Sequence, residues 1–221
     1  MKIMTAQKGI QFVTCLVCLL LMVIVQGNAQ QAKAADELDK KVLAFLNSSK
    51  DDWRNWNVPY EDGKVLHDLI LKNKYTSALE IGTSTGHSTV WLAWAMSKTG
   101  GKVITIEIDE GRYKTAKENI KKAGLEQYVD ARLADAHELV KQLPGPFDFV
   151  FSDADKDWYT QYFIDVDPKL KPGGCFTAHN VSNTYGGAGE FLNHIKKLPN
   201  YTTTVDSSSS SGISISYKSK P

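Results

Sequence analysis

Residues 78–89 read ALEIGTSTGHST, and the pattern in this stretch decides the fold. A short apolar strand ends at Ile81, a glycine-bounded turn runs from Gly82 to Gly86, and a helix follows. Glycines let the backbone approach a ligand closely, and the free N–H groups of a helix N-terminus bind polar groups. The stretch therefore predicts a ligand-binding strand–turn–helix unit, with a plain tight turn as the alternative.

The same alternation of strand and helix continues along the chain. Strand patterns occur at residues 78–81, 103–108, 129–133, 147–151 and 175–178, and helical patterns occur at 61–72, 88–96, 111–123, 136–143, 158–170 and 190–197. Such a βαβαβ series predicts an α/β fold whose mostly parallel sheet is covered by helices on both faces. Two final strands, 201–205 and 213–217, flank a serine run and should pair as an antiparallel hairpin.

The composition excludes some classes of protein. The chain has 221 residues, with 26 Lys plus Arg, 25 Asp plus Glu and a formal net charge of +1. A nucleic-acid partner requires a basic excess, so that class is excluded. Cys15 and Cys18 lie in an apolar leader and leave Cys175 as the single cysteine beyond it, so no internal disulfide is expected.

The leader is the N-terminal segment, residues 1–29. It carries Lys2 and Lys8 but no acid, then an apolar run over 12–25 and a small-residue exit ending at Ala29. This pattern predicts a cleaved signal peptide or an uncleaved signal anchor. The chain is then exported (periplasmic or extracellular) or membrane-anchored through this segment, with a cytoplasmic location left open. Residues 30–50 are interpreted as a tether and a short helix, and 51–221 as the main domain.

Acidic residues mark the ends of the first three strands. Glu80 lies within the first strand and suits a ligand with a cationic amino-acid end. Glu107, with Asp109 as the second candidate, ends the next strand, where an acid can accept both hydroxyls of a ribose. Asp135 follows the third strand and can take the amino group of an adenine. A nicotinamide dinucleotide is disfavoured, because Ser84 stands where its fingerprint requires the middle glycine.

Three more acids alternate at the end of the fourth strand, in FDFVFSDADKDWY (147–159): Asp153, Asp155 and Asp157. Lys156 lies among them, and His179 and Asn180 end the fifth strand at the same edge of the sheet. Hard cations prefer oxygen ligands at such positions. We therefore expect Asp153, His179 and Asn180 to face one divalent metal, with a solvated acidic loop as the alternative.

From residue 57 to 217 the chain resembles the cation-dependent O-methyltransferases that use S-adenosylmethionine. That family includes catechol and caffeoyl-CoA O-methyltransferases and small bacterial members. The motifs that carry the resemblance occur in the same order: LEIGTSTGHST, ITIEID, LADAHEL, FDFVFSDADKDWY and KPGGCFTAHN. The resemblance implies a Rossmann-like, doubly wound, seven-stranded sheet with an antiparallel last strand, the class I methyltransferase fold. It also implies metal-assisted methyl transfer to a hydroxyl of a small phenolic or catecholic acceptor.

The resemblance further implies roles for individual residues. Those expected at the cofactor are Val58, Glu80, Gly82, Ser84, Gly86, Ser88, Glu107, Asp135, Ala136 and Asp153. Lys156 matches the catalytic lysine, which acts as a base, and Asp153 is the metal ligand nearest the cofactor. An aromatic acceptor would lie against Trp53, Trp56, Trp158 and Tyr185, although Trp53 and Trp56 would serve equally to pack the N-terminal helix.

The chain departs from the family pattern at the end of the fifth strand. The family has Asp-Asn there, and this chain has His179-Asn180. Three interpretations follow: a softer metal such as manganese, iron, nickel or zinc, a site without metal in which His179 is a base or substrate contact, or a structural His179. Residues 181–189 are also short and glycine-rich, so the specificity of relatives should not be transferred. A non-catalytic or metal-independent cofactor-binding protein is the alternative function, and the oligomeric state, a homodimer included, is left open.

Overall fold

The computed structural model describes residues 26, 30–49, 57–182 and 186–220. Met1–Leu43 and Ala44–Pro221 form two compact units. Residues 30–48 are helical (α1), so the helix includes the stretch expected as a tether; this segment is rich in Ala and Lys, which favour helix. The leader, apart from Gln26, lies outside the described residues. Within those residues, no helix combines the length and apolar character that crossing a membrane requires.

The second unit is built on one seven-stranded sheet. Its strands are β1 (Ser77–Ile81), β2 (Lys102–Glu107), β3 (Val129–Leu133), β4 (Phe147–Ser152), β5 (Leu170–His179), β6 (Tyr201–Asp206) and β7 (Ile213–Lys218). They lie in the order β3-β2-β1-β4-β5-β7-β6. Strands β1 to β5 pair in parallel, and β7 runs antiparallel to both β5 and β6. The predicted sheet, its antiparallel last strand and the serine-linked hairpin are confirmed.

Helices connect the strands. They are α2 (Tyr60–Asn73), α3 (His87–Thr99), α4 (Glu110–Ala123), α5 (Ala136–Gln142), α6 (Tyr159–Val166) and α7 (Gly187–Ile195), with 3-10 turns at Glu126–Tyr128, Lys156–Trp158 and Asp167–Lys169. The helix expected over 158–170 is shorter than its pattern indicated. Pro168 lies in a 3-10 turn, and β5 begins directly afterwards. A proline has no N–H to donate to the preceding turn, which accounts for the early end of the helix.

Packing on the sheet brings the ends of the central strands together. Strand β4 is buried along its whole length, and Phe176 of β5 packs against Phe163 of α6 and Phe191 of α7, at ring-centroid distances of 5.3 and 5.5 Å. Ser152 at the end of β4 pairs with Ile81 on one side and with Ala178 on the other. The residues that follow these three strands therefore share one edge of the sheet, where open α/β folds bind ligands.

Candidate active site

A cavity of about 720 Å³ lies at this edge. Small-molecule sites commonly measure ~300–1,000 Å³, so the volume suits a cofactor and a small acceptor. The predicted site residues that line it are Gly82, Ser84, Glu107, Asp135, Ala136, Asp153, Lys156, His179 and Asn180. The remaining predicted cofactor residues, Val58, Glu80, Gly86 and Ser88, are not among its lining residues.

The first βα turn brings the tips of β1 and β4 into contact. Gly82 has φ +99°, and a Cβ built there would lie 2.8 Å from the carbonyl oxygen of Asp153. The backbone N–H of Asp153 donates a 2.8 Å hydrogen bond to the carbonyl of Ile81. Glycine is needed at position 82 for both its backbone conformation and the close approach. Gly86, with φ +91°, then begins α3.

Two polar side chains at this turn have buried atoms without a hydrogen-bond partner in the described part of the chain: Glu80 Oε1 and Ser84 Oγ. Burial raises the pKa of Glu80 to about 7, although hydrogen bonds from Ser88, Thr105 and Thr89 oppose the rise. Unsatisfied buried polar atoms are uncommon and require an explanation. Because Ser84 also lines the cavity, a ligand that supplies its partner explains the arrangement.

Glu107 is held at the cavity wall by backbone donors. Its Oε2 accepts a 2.7 Å hydrogen bond from the N–H of Ser84, and its Oε1 accepts from the N–H groups of Ile108 and Asp109 at 3.1 and 3.0 Å. Each carboxylate oxygen has two acceptor positions, so Oε2 can still accept from a ligand hydroxyl. Asp109, the second candidate, instead caps α4 by accepting from the N–H of Arg112.

Asp135 has a structural role as well as a place in the cavity. Its side chain caps α5 by accepting a 2.9 Å hydrogen bond from the N–H of His137, and it also lines the cavity beside Ala136. Capping uses one carboxylate oxygen and leaves the other available. A ligand can therefore contact Asp135 without the loss of the cap.

Four side chains form a connected series, here named the charge chain: Asp62, His179, Asp153 and Lys156. Lys156 Nζ lies 2.7 Å from Asp153 Oδ1, Asp153 Oδ2 lies 3.1 Å from His179 Nδ1, and His179 Nε2 lies 2.8 Å from Asp62 Oδ2. Side-chain exposure rises from 1% at Asp62 to 38% at Lys156. The charge chain thus runs from the interior to a solvent-accessible wall of the cavity.

His179 is the central member of the charge chain. Burial opposes its charged form, but the hydrogen bonds to Asp153 and Asp62 outweigh this effect and raise the pKa of His179 to about 9. A carboxylate only accepts hydrogen bonds, so a ring with a carboxylate at each nitrogen donates from both and is an imidazolium. The two contacts and the raised pKa both favour the positively charged form of His179 at neutral pH.

Asp62 and Ser209 were not identified from the sequence. Ser209 Oγ donates a 2.7 Å hydrogen bond to Asp62 Oδ2, which ties helix α2 to the β6–β7 loop. A signal for Asp62 was present, because Asp62, Leu66 and Ile70 recur at the four-residue spacing of one buried helix face. No comparable signal distinguishes Ser209 from the other serines in its run.

The predicted ligands do not fit a divalent cation in this arrangement. Asp153 and His179 are brought together, and Asn180 lines the same cavity with φ +57°. Both nitrogens of His179 already lie against carboxylates, whereas a histidine that binds a metal keeps one nitrogen for it. Across residues 26, 30–49, 57–182 and 186–220, no group of three or more His, Cys, Asp or Glu is suited to hold a metal ion.

Two aromatic side chains, His137 and Tyr162, line the cavity, whereas Trp158, predicted as a wall residue, is not among its lining residues. The rings of His137 and Trp158 stack at 3.8 Å, and Tyr162 lies 5.7 Å from His137. His137 and Tyr162 line the cavity and were missed from the sequence, because their side-chain directions depend on how α5 packs on α6. Trp53, Trp56 and Tyr185, predicted as further wall residues, lie outside the described residues.

The sequence of this chain is similar to those of two curated O-methyltransferases. A catechol O-methyltransferase of Niastella koreensis is 39% identical over 148 residues, which cover 65% of this chain and 66% of that protein. A caffeoyl-CoA O-methyltransferase of Eucalyptus globulus is 31% identical over 139 residues, covering 61% of this chain and 56% of that protein. The match thus spans between about half and two thirds of the length of these relatives.

A solved structure and a family model extend the comparison. The O-methyltransferase of Bacillus cereus, solved in complex with SAH, superposes with a TM-score of 0.69 at 28% identity, covering 81% of this chain and 90% of that one. This likeness agrees with the seven-stranded sheet and with the cavity at its carboxyl edge. A model of the O-methyltransferase family matches residues 31–187. That range is more than half of the chain, which therefore belongs to the O-methyltransferase family.

Proposed function

We propose that this chain is an S-adenosylmethionine-dependent methyltransferase that acts on a hydroxyl of a small acceptor. The observation that carries the proposal is the cavity at the carboxyl edge of the sheet, where Glu107 is fixed by backbone donors and Ser84 Oγ has no partner in the described part of the chain. The Bacillus cereus relative was solved with SAH, the demethylated form of this cofactor. Family membership supports the same activity.

The cavity residues suit the separate parts of the cofactor. Glu107 is assigned to a ribose hydroxyl through the remaining acceptor position of Oε2, and Asp135 and Ala136 to the adenine. Gly82 and Ser84 are assigned to the methionine part, where the backbone turn permits close approach. When bound, S-adenosylmethionine supplies an electrophilic methyl group on a sulfonium centre. The contribution of these residues is alignment, which can account for a large share of a transfer barrier.

Lys156 is assigned to the acceptor oxygen. Its Nζ is paired with Asp153 and lies at the cavity wall. A hydroxyl placed against this ammonium loses its proton more readily, because a nearby positive charge favours the oxyanion. The proton passes to solvent water, which reaches this wall because the Lys156 side chain is 38% exposed. This role differs from the general base expected from the sequence, since a base must be neutral and the ammonium is paired with a carboxylate.

The acceptor is proposed to be a small phenol or catechol. His137, which stacks on Trp158, and Tyr162 line the same cavity as Lys156 and offer an aromatic surface there. Aromatic rings pack favourably against such surfaces in offset or edge-to-face arrangements. The names of the Niastella and Eucalyptus relatives indicate phenolic acceptors for those proteins and support the same class here.

The divalent metal remains a prediction from the sequence and has no part in the proposed reaction. A carboxylate lies at each nitrogen of His179, so the ring has no nitrogen available to bind a cation. His179 stands where the family pattern has an aspartate. This replacement also favours a second candidate function, a protein that binds the cofactor without methyl transfer, because loss of the metal site would accompany loss of catalysis.

One experiment separates the two functions. Calorimetry would measure binding of S-adenosylhomocysteine to the full chain, and an assay with labelled S-adenosylmethionine would measure methyl transfer to a panel of catechols and phenols. Binding with transfer supports the proposed enzyme. Binding without transfer to any acceptor favours the non-catalytic protein, and absence of binding rejects both.

A further inference from the structure

Two buried carboxylates share one imidazole ring at the end of β5. Asp62 and Asp153 lie at opposite nitrogens of His179, at 2.8 and 3.1 Å, and Asp62 is 1% exposed. An ionised carboxylate in the interior is costly unless a cation or hydrogen-bond donors compensate for its lost hydration. The ring therefore provides the compensation that two acids require at once.

No other cation contacts Asp62 within the described part of the chain. Its Oδ2 accepts from His179 and from the neutral hydroxyl of Ser209, and its Oδ1 has no partner there. Of the two acids, Lys156 contacts only Asp153. Removal of the imidazolium would thus leave Asp62 and Asp153 as neighbouring acids around a vacant position.

The position of the ring also determines the geometry of the cavity wall. Because His179 binds Oδ2 of Asp153, the other oxygen of that carboxylate is directed to Lys156. The tips of β4 and β5 and helix α2 are joined through one side chain. His179 is in this sense a positioning residue for Lys156, with no need to touch the acceptor.

We propose that His179 is a built-in cation that joins Asp62 to Asp153 and takes the place of a bound divalent metal. The consequence for methyl transfer, independence from metal, rests on the proposed function. The consequence for metal binding does not rest on the proposed function, because it concerns only the affinity of the folded chain for a divalent cation. Replacement of the ring by a carboxylate should collect three acids at one point, which is a typical site for a hard cation.

The test uses the full chain and Mn²⁺, observed by electron paramagnetic resonance. We expect the wild type to leave the signal of free Mn²⁺ unchanged, and His179→Asp to bind one equivalent. His179→Asn is the matched control, because it removes the imidazolium without adding an acid; its affinity should lie between the two. Added Mn²⁺ should raise the Tm of His179→Asp and leave that of the wild type unchanged, since a ligand stabilises the state that binds it.

Two results would overturn the proposal. One is binding of an equivalent of Mn²⁺ by the wild type that is lost in Asp153→Asn, and this measurement stands even where His179→Asp fails to fold. The other is a folded His179→Asp that binds no Mn²⁺. Calorimetry with S-adenosylhomocysteine on the same wild-type sample reports on the proposed function separately. Wild-type methyl transfer that is unchanged by a chelator supports both the proposed function and the replacement of the metal by His179.

Discussion

Lys156 is held by three neighbours at the cavity wall. Its Nζ contacts Asp153 and the carbonyl of Ala154, at 2.7 and 3.2 Å, and lies 5.3 Å from the ring centre of Tyr159. We predict that Lys156→Ala lowers kcat by roughly 10²–10³-fold, the effect of removing one oxyanion donor, with little change in the affinity for S-adenosylhomocysteine. Steady-state kinetics and calorimetry measure the two quantities. Lys156→Arg retains the charge and should lose less, and unchanged turnover in the alanine variant would rule out this role.

His87 makes folding stability depend on pH. Its Nδ1 lies 2.7 Å from the carbonyl of Val58, and its Nε2 accepts from the indole N–H of Trp91 at 3.4 Å. Burial lowers the pKa of His87 from 6.5 to about 4, against the hydrogen bond to Val58. The folded state thus favours the neutral ring. Its contribution to stability is complete above pH 6.5 and is lost as the pH falls toward 4.

We predict that His87→Gln reduces this pH dependence. The lowered pKa corresponds to about 3 kcal/mol of unfolding free energy between the two limits. Urea denaturation of wild type and variant at pH 7.5 and 4.5 measures it, and the difference between the two proteins removes the contribution of the carboxylates. Equal pH dependence in both proteins would show that His87 is not the group responsible.

At the scale of elements, the close contact between the tips of strands β1 and β4 shapes the cavity. A Cβ at Gly82 would lie 2.8 Å from the carbonyl oxygen of Asp153, with φ at +99°. We predict that Gly82→Ala lowers stability by about 1–3 kcal/mol, as overpacking does, and weakens S-adenosylhomocysteine binding because the β4 tip must move. Chemical denaturation and calorimetry provide the measurements.

Gly100 offers a matched control for that variant. It also has a positive φ, +76°, but a Cβ there would meet no atom within 4 Å in the described part of the chain. Gly100→Ala therefore carries the cost of backbone strain without a clash. We expect it to leave cofactor binding intact, and equal losses of binding in both variants would contradict the steric argument.

Two acids that were predicted only as ligand contacts also cap helices. Asp109 and Asp135 both follow a strand and precede a helix, which is the usual position of an N-cap aspartate. In the structure each of them caps its helix. Local sequence therefore contained this information, and the interpretation of both acids as ligand contacts overlooked it. Glu107, which lies at the tip of β2 and is not a cap, is the acid that the turn at Ser84 holds in place.

The charge chain could be predicted only in part. Asp153, Lys156 and His179 follow strands that end at one edge, so their proximity follows from a parallel sheet. Asp62 lies 117 residues from His179 along the chain, and its place on α2 reveals burial but not a partner. Whether Nε2 of His179 is available to a metal depends on that distant contact. The sequence pattern alone could not have decided it.

The fold of the whole molecule was predictable for a different reason. The period of apolar residues and the glycines between elements are local signals that repeat along the chain, and together they specify a parallel sheet. The boundary of α6 was misplaced because its apolar pattern continues into β5, and the helical propensity of residues 30–40 was underrated. These errors shift the ends of elements and leave the order of strands unaffected.

The leader sets a prediction for the whole chain. S-adenosylmethionine is expected inside cells, whereas the apolar run over 12–25 and the exit at Ala29 are typical of export. We predict that the full chain is found in the membrane or exported fraction, and that deletion of residues 1–29 moves it to the soluble interior with cofactor binding unchanged. Fractionation with immunoblotting measures the location, and mass spectrometry shows whether the exported chain begins at Gln30. If both forms occur in the same fraction, the leader directs neither export nor anchoring, and the catalytic unit works where its cofactor is made.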